Sequence, residues 1–305
     1  MTRYSKKFTI LITTKNRRED LTFTLLKIKY LLQRDDVVCI LCDDGSTDGT
    51  SDFITANYPD IQLIRNEKSK GLIYSRNKLL HLTTTAYAIS IDDDLHFITE
   101  NPLELIDIYF NQHPECALIG FRIFWSTELP GSTATTDTPH RMKSFAGGAH
   151  VWRMNAWNQI PDYPSWFIFH GEEDFAAYEM FKKKLEIHYL PSVLVHHRVD
   201  IKARKKNADY AMRLRFSLRS GWYLYFLFFP FIKIPRLLAY SIWMQLKLKV
   251  FKGDFRALKA IILAFLDLLL ELPRIFKNRN RLTTNEYDEF NRLKNIKLYW
   301  KPNDH

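Results

Sequence analysis

The chain opens with a short apolar run, FTILI at residues 8 to 12, and continues with Leu21, Leu25, Ile28 and Leu32 at helical spacing within residues 17 to 32. Such a pattern predicts a strand followed by a helix with one apolar stripe. The pair then recurs. Val37 to Cys42 predicts a second strand that ends in DDGSTDGT, and Ser51 to Asn57 a helix opened by Thr47 or Asp48 as a cap. Gln62 to Ile64 predicts a strand, Leu72 to Leu80 a helix, and Tyr87 to Ile91 a strand running into Asp92-Asp93-Asp94. Alternating elements with wholly apolar strands predict an α/β chain whose central sheet is mostly parallel and covered by helices on both faces. Two of the four strands end in acidic turns at their carboxyl edge, where open α/β sheets bind ligands.

From residue 101 to 197 the rhythm loosens. A helix is expected at 102 to 112 and a strand at 116 to 124, followed by the polar stretch STELPGSTATTDTPHRMKS, Gly147-Gly148 and an aromatic-rich segment. A long aperiodic stretch inside a compact domain is often functional. Beyond residue 198 the character changes again, with KARKK at 202 to 206 and the aromatic block WYLYFLFFPF at 222 to 231. Trp222 to Ile232 contains Pro230 and stops at Lys233, short of the roughly 20 apolar residues a membrane span needs. Further on, Phe255, Leu258, Ile262, Phe265, Leu269 and Leu272 alternate steps of three and four, with Arg256 and Lys259 off the stripe. That is an amphipathic helix, suited to packing on protein or lying in a lipid interface. A C-terminal helical extension is therefore expected to follow the α/β body.

Charge divides the chain at the same place. The net charge of +10 combines 21 Lys+Arg against 25 Asp+Glu in residues 1 to 197 with 23 against 9 in residues 198 to 305. The basic third suits nucleic acid, an anionic membrane surface or a solvated helical face. Three cysteines, Cys39, Cys42 and Cys116, form no disulfide framework and suit a reducing compartment. Cys39 and Cys42 lie three apart in a predicted strand, so they point to opposite faces and cannot share a metal. No signal peptide is evident at the N-terminus.

The acidic turns carry the chemistry. A carboxylate at a strand end can accept the imide N–H of a pyrimidine or the hydroxyls of a ribose, and closely spaced carboxylates suit a hard divalent cation bridging to diphosphate oxygens. FTILITTKNR at 8 to 17, ILCDDGSTDGT at 40 to 50, GLIYSRN at 71 to 77, ISIDDD at 89 to 94, Gly147-Gly148, GEED at 171 to 174 and YLPSVLVHH at 189 to 197 follow one another in an order that resembles glycosyltransferase family 2. This is the inverting family with the A-type nucleotide-sugar-binding fold, and the likeness is to members that build bacterial cell-surface polysaccharides. It covers about residues 7 to 200.

The resemblance implies a division of labour. Residues 1–100 would be the nucleotide-sugar-binding half, 101–200 the acceptor-binding half of the same catalytic domain, and 201–305 a basic amphipathic helical extension. Thr13, Asp43, Asp44, Arg76, Asp92 and Asp93 would contact the nucleotide-sugar, with Arg76 near the diphosphate. Asp92 and Asp94 bracket a D-x-D signature and would hold Mg²⁺ or Mn²⁺ together with His197 or its neighbour His196. Asp174, with Glu173 beside it, stands where the family has its catalytic base. Gly148, Trp152 and His170 are the candidates for the acceptor side. The chain departs from the family at Thr13-Thr14-Lys15, where Pro-Thr and an aromatic are common, and at Tyr178-Glu179-Met180, where a basic residue often follows the acidic motif.

The implied activity is metal-dependent inverting transfer of a hexosyl or deoxyhexosyl unit to a hydroxyl of a glycan or lipid-linked acceptor. The donor would be a nucleoside diphosphate-sugar, UDP or dTDP being favoured. A cytoplasmic site on the inner face of the membrane follows if the basic third docks on anionic lipid. Two alternatives are weaker. Nucleic-acid binding would interleave basic residues with exposed aromatics, unlike the continuous apolar block at 222 to 231, which suits a lipid interface better. A sugar nucleotidyltransferase would want a Gly-rich phosphate loop that TTKNRRED does not supply.

Overall fold

The computed structural model describes residues 6–200 and 209–296, so KARKK at 202 to 206 lies outside the described residues. Nine strands form one sheet: β1 (Phe8–Thr14), β2 (Val37–Asp43), β3 (Gln62–Arg65), β4 (Tyr87–Asp92), β5 (Leu95–Phe97), β6 (Cys116–Trp125), β7 (His140–Met142), β8 (Ala149–Arg153) and β9 (Glu186–His197). The helices of the body are α1 (Arg18–Lys27), α2 (Lys29–Leu32), α3 (Thr50–Asn57), α4 (Leu72–Leu82), α5 (Pro102–Gln112), α6 (Met154–Trp157) and α7 (Glu172–Lys182). After them come α8 (Tyr210–Phe228), α9 (Ile234–Leu248), α10 (Phe255–Lys277) and α11 (Thr284–Arg292).

The sheet order is β3-β2-β1-β4-β8-β6-β9-β5, with β7 also on β9. The first four strands are parallel to one another, as their apolar runs predict. The second half is mixed: β8 runs antiparallel to both β4 and β6, while β6 and β9 are parallel. Strand order reverses where β1 lies between β2 and β4, and this opens a crevice at their carboxyl ends. Register sets the partners there, pairing Thr13 with Asp92 and Thr14 with Asp43.

Side-chain alternation along these strands builds two cores, one on each face of the sheet. Ile10 and Ile12 of β1 belong with Leu21, Leu25 and Cys39 on one face. Leu11 belongs with Cys42, Ile73 and Trp152 on the other. Cys39 and Cys42 thus face opposite ways, as their spacing requires. The helix expected over 17 to 32 is broken at Ile28 into α1 and α2. At the start of α3 the N-cap position is Gly49, and the Asp48 carboxylate accepts the Thr50 N–H at 3.2 Å.

The C-terminal helices change one expectation and decide another that was open. The aromatic block at 222 to 231, read as suiting a lipid interface, is mostly core: Trp222, Tyr223, Leu224, Leu227, Phe228 and Phe229 are all buried. Tyr223 stacks on Trp166 and Phe228 on Tyr178, so α8 seals the body over α7 and the turn at Ser165–Phe167. The stripe running from Phe255 to Leu272 does not make the inner face of α10. Ala257, Ala260, Ile261, Ala264, Leu268 and Ile275 face α8 instead, because small side chains let two helix backbones approach. Phe255, Ile262 and Leu269 are left outside. Among the described residues, no helix is long and apolar enough to cross a membrane.

One ion cluster fastens α8 to α10. Asp267, buried on α10, accepts from Arg215 Nε at 2.7 Å and lies 3.5 Å from Arg219 Nη1. Arg219 in turn donates to the Phe167 carbonyl at 2.6 Å, tying the helix to the turn beside the crevice. Replacing Asp267 by Ala would leave a buried guanidinium without its counter-ion. A loss of about 3 kcal/mol is expected, read as a lowered midpoint in urea denaturation.

Candidate active site

At the carboxyl ends of β1 and β4 the crevice becomes a cavity of about 1070 Å³. Its wall takes in Thr13 near the end of β1 and Arg17 beyond it, Asp92 to Asp94 from the end of β4, Arg76 in α4, Gly147 and Gly148, and the start of α7 from Glu172 to Asp174. Tyr210, Met212 and Arg213 of α8 close the remaining side. Residues far apart in sequence meet here because β8 runs antiparallel beside β4. Ile91 pairs with Ala149, and the Asp92 N–H donates to the Gly148 carbonyl at 2.9 Å.

Arg76 is the centre of the network. It is buried, donating to Glu172 Oε1 at 2.7 Å, to Asp92 Oδ1 at 2.8 Å and to the Gly147 carbonyl at 2.9 Å. Burial alone would lower its pKa, but the charges of Asp92, Glu172 and Glu173 reverse the direction and raise it. Gly147 is required by this crowding. A Cβ there would overlap the Glu173 carboxylate and lie 2.8 Å from Arg76 Nη1.

The acidic triplet divides into distinct tasks. Asp93 turns inward, accepting from the Thr14 hydroxyl at 2.7 Å and pairing with Arg17 Nη1 at 2.8 Å. Burial pushes its carboxyl up to about 7 against those two contacts. Asp94 pairs with Arg17 Nη2 at 2.8 Å and faces His197 Nε2 at 3.1 Å. Burial works against its ionised form, yet His197 and Arg17 outweigh burial and hold the carboxyl well below the usual carboxylate range. One donor atom from each of Asp92, Asp94 and His197 lies within 4.8 Å of the others. Asp94 Oδ1 is the oxygen that faces His197 Nε2, and no other donor reaches it among the described residues, so a lone pair remains for a cation. Two carboxylates and an imidazole fit a divalent ion of the Mg²⁺ or Mn²⁺ kind.

Of the two neighbouring histidines, His197 stands at this group. Its ring lies 4.2 Å from that of Trp125, which packs against it, whereas His196 Nε2 is bonded to the Ser126 carbonyl at 2.8 Å. Thr13, Asp44, Gly148 and His170 also border the cavity. Asp44 is heavily engaged, accepting the Lys70 and Gly71 N–H groups, each at 2.9 Å, and the Asn66 amide at 2.8 Å. These bonds outweigh burial and lower its pKa.

Two expected contacts change. Asp43 is fully buried and is not part of the cavity wall; it accepts the Ser46 N–H at 2.8 Å and the Ser51 hydroxyl, bracing the turn instead of reaching a ligand. Trp152, read as an acceptor contact, lies in the core with its indole N–H on Tyr163 Oη at 2.9 Å. Gly148 borders the cavity just before β8, but Trp152 lies four residues further along and packs on Trp157 of α6.

Asp174 opens onto the cavity and accepts from the Ser144 hydroxyl at 2.7 Å. The surrounding walls of the cleft raise its pKa, with the Ser144 bond and Lys143 opposing. Glu173 is raised further, by burial and then by the charge of Glu172. Arg17, Glu172 and Ser144 had no assigned role in the sequence. Arg17 stood inside the TTKNR segment and Glu172 inside GEED, but nothing local shows that the first would reach the acidic triplet and the second Arg76.

Residues 9–161, about half of the chain, match the family model described as glycosyl transferase family 2. The chain belongs to glycosyl transferase family 2. Among curated proteins it is similar to EpsE of Bacillus subtilis (strain 168), a glycosyltransferase by description, at 29% identity over 136 residues, covering 41% of this chain and 49% of that protein. Of solved structures, GalNAc-T7 with UDP, GalNAc and Mn²⁺ superposes with a TM-score of 0.57 at 15% identity, over 73% of this chain and 48% of that one. The mannosyltransferase PcManGT of Pyrobaculum calidifontis, in complex with GDP-Man and Mn²⁺, gives 0.54 at 13% identity over 95% and 79%. The chain thus spans about half the length of EpsE and of GalNAc-T7. At these identities the structural likeness shows the fold, which is the A-type fold of glycosyltransferases.

In this family 2 chain, a methyl group at position 147 would push Glu173 and Arg76 apart without touching the core. Gly147→Ala is expected to leave the melting temperature within a few degrees of wild type while turnover falls on the order of 10²-fold, as a displaced site residue does. Parallel thermal-melt and donor-hydrolysis measurements check this.

Proposed function

We propose that this glycosyltransferase moves a sugar from a nucleoside diphosphate-sugar to an acceptor hydroxyl in one metal-dependent displacement that inverts the anomeric centre. The observation that carries the reading is one cavity bordered both by the Asp92, Asp94 and His197 donor set and by the Asp174 carboxylate with its raised pKa. A single displacement needs a base on the acceptor side and charge neutralisation on the leaving side, and the wall supplies both. No covalent enzyme intermediate is required, so no nucleophilic side chain is needed.

When bound, Mg²⁺ or Mn²⁺ would supply Lewis acidity to the diphosphate oxygens. The two solved relatives described above hold Mn²⁺, which supports a divalent ion without choosing between the two. Asp92, Asp94 and His197 would hold it. Arg17, now paired with Asp93 and Asp94, is close enough to the triplet to turn toward an incoming anion. Arg76 fixes Asp92 and Glu172 at the cavity wall and offsets part of their negative charge where a diphosphate would depart.

Thr13 and Asp44 would border the nucleotide, at the crevice where this sheet order binds ligands. A pyrimidine base is favoured by the family resemblance, and GalNAc-T7 was solved with UDP, although PcManGT was solved with GDP-Man. On the acceptor side, Asp174 takes the proton of the attacking hydroxyl as the new C–O bond forms. His170 and Gly148 border the same space. The acceptor would be a glycan or a lipid-linked glycan of the polysaccharide-building kind.

Removing the base by Asp174→Asn is expected to lower transfer on the order of 10²- to 10⁴-fold with donor affinity kept, measured as kcat against the dissociation constant of the nucleotide. Because the base works only when ionised, activity should fall as pH drops through the pKa of Asp174, which lies higher than that of a free aspartate. The acid limb of log(kcat/KM) should have unit slope, and a flat profile down to about pH 4 would refute the role. For the metal, UDP-, dTDP- and GDP-sugars with Mn²⁺ are compared by thermal shift. The cognate nucleotide at about 100 times its Kd should add about 2.7 kcal/mol, and Asp94→Asn should remove the Mn²⁺-dependent part.

A further inference from the structure

The outer face of α10 is apolar and uncovered. Ile262, Phe265, Leu266, Leu269 and Leu270 are 40 to 79% exposed, and the only charged residue between Ile262 and Leu270, Asp267, points inward to Arg215 and Arg219. Beyond each end of this patch the surface turns basic, with Arg256 and Lys259 before it and Arg274, Lys277 and Arg279 after it. Residues 233 to 279 hold ten basic residues against three acidic. An apolar middle with cationic ends, on a helix about 34 Å long, is the geometry of a helix lying flat in a lipid interface.

The same surface reaches the cavity mouth. Tyr210, Met212 and Arg213 border the cavity, and the Tyr210 ring lies under two cations, Arg256 at 5.0 Å and Lys249 at 5.9 Å. Those cations flank Phe251 and Phe255, which are 67% and 72% exposed. Two bare aromatics are therefore adjacent in sequence to cations that sit on a residue of the cavity wall.

We propose that α10 and the turn before it dock on an anionic lipid bilayer, seating the cavity mouth at the membrane surface so that the acceptor is a lipid-linked glycan. The acceptor class rests on the transfer reading given above; the docking does not. Such docking would hold the enzyme peripherally on the inner face of the cytoplasmic membrane. A second copy of the chain is a poorer occupant. A two-fold contact through this face would bring its cationic ends against one another or against an equally basic neighbour. Nucleic acid is poorer still, since the uncharged centre offers no phosphate contact.

The test is co-sedimentation of the full chain with vesicles of phosphatidylcholine alone and of equal parts phosphatidylcholine and phosphatidylglycerol, at low and high salt. Wild type should pellet with the anionic vesicles and be released in part by salt. Leu266→Ser/Leu270→Ser, on exposed positions, should lower the partition coefficient at least about tenfold with the melting temperature kept. Lys252→Glu/Lys259→Glu should remove the preference for phosphatidylglycerol. The docking is overturned if wild type ignores both vesicles, if the serine variant pellets as well as wild type, or if that variant turns a vesicle-indifferent dimer into a monomer. Donor hydrolysis on the same preparations reports the cavity separately. Hydrolysis kept in the serine variant supports docking as a function distinct from chemistry. A wild type that binds vesicles but hydrolyses no donor sugar overturns the transfer reading and leaves the docking standing.

Discussion

A buried guanidinium holding two carboxylates is the contact on which the rest of the site depends. Arg76 joins α4 to the end of β4 through Asp92, to α7 through Glu172 and to the Gly147-Gly148 turn through a carbonyl. Each partner alone would be costly to bury ionised, and the group is stable only as a set. Its consequence is positional. Asp92 is held at the end of β4, α7 is drawn against the crevice, and Glu173 and Asp174 follow from the first turn of that helix. A Cβ at position 147 would displace the Glu173 carboxylate and crowd Arg76, so glycine there leaves both where they stand.

Around this hub the carboxylates are held in different states by their surroundings. Asp94 is kept ionised by His197 and Arg17, Asp93 is pushed upward by burial, and Asp174 is raised within the cleft wall. A cation site needs carboxylates that stay charged, and a general base needs one whose proton affinity is closer to its task. The same residue type thus serves both ends of one cavity, and burial together with fixed neighbours separates the roles. Arg17 adds a cation that balances the triplet from β1.

The helical extension is bound to the body by packing and by charge. Its aromatic block is spent on the core over α7, and Asp267 clamps α8 to α10. Once those inner faces are used, the apolar residues left on α10 point away from the protein. Because α8 also forms part of the cavity wall, whatever this outer face touches lies close to the entrance. The extension is thus both the lid of one core and the edge of the site.

Much of the first hundred residues was legible in the chain itself. Short apolar runs alternating with helical stripes fix strand and helix by period alone, and strand periodicity sends Cys39 and Cys42 to opposite faces. The acidic turns at 43 to 44 and 92 to 94 announce a ligand edge because parallel strands end together. Local pattern does not carry the rest. That Trp152 is a core anchor and that His197 instead of His196 faces Asp94 depend on β8 and β9 joining the sheet from far along the chain, whereas Asp43 turns onto Ser46 and Ser51 of its own turn through side-chain geometry that residue type does not encode. Which face of α10 turns inward was likewise undecided, since a stripe of large apolar residues and a stripe of alanines are both consistent with a helix. Tertiary packing chose the alanines, because only small side chains bring α10 close enough to α8 for Asp267 to reach Arg215 and Arg219.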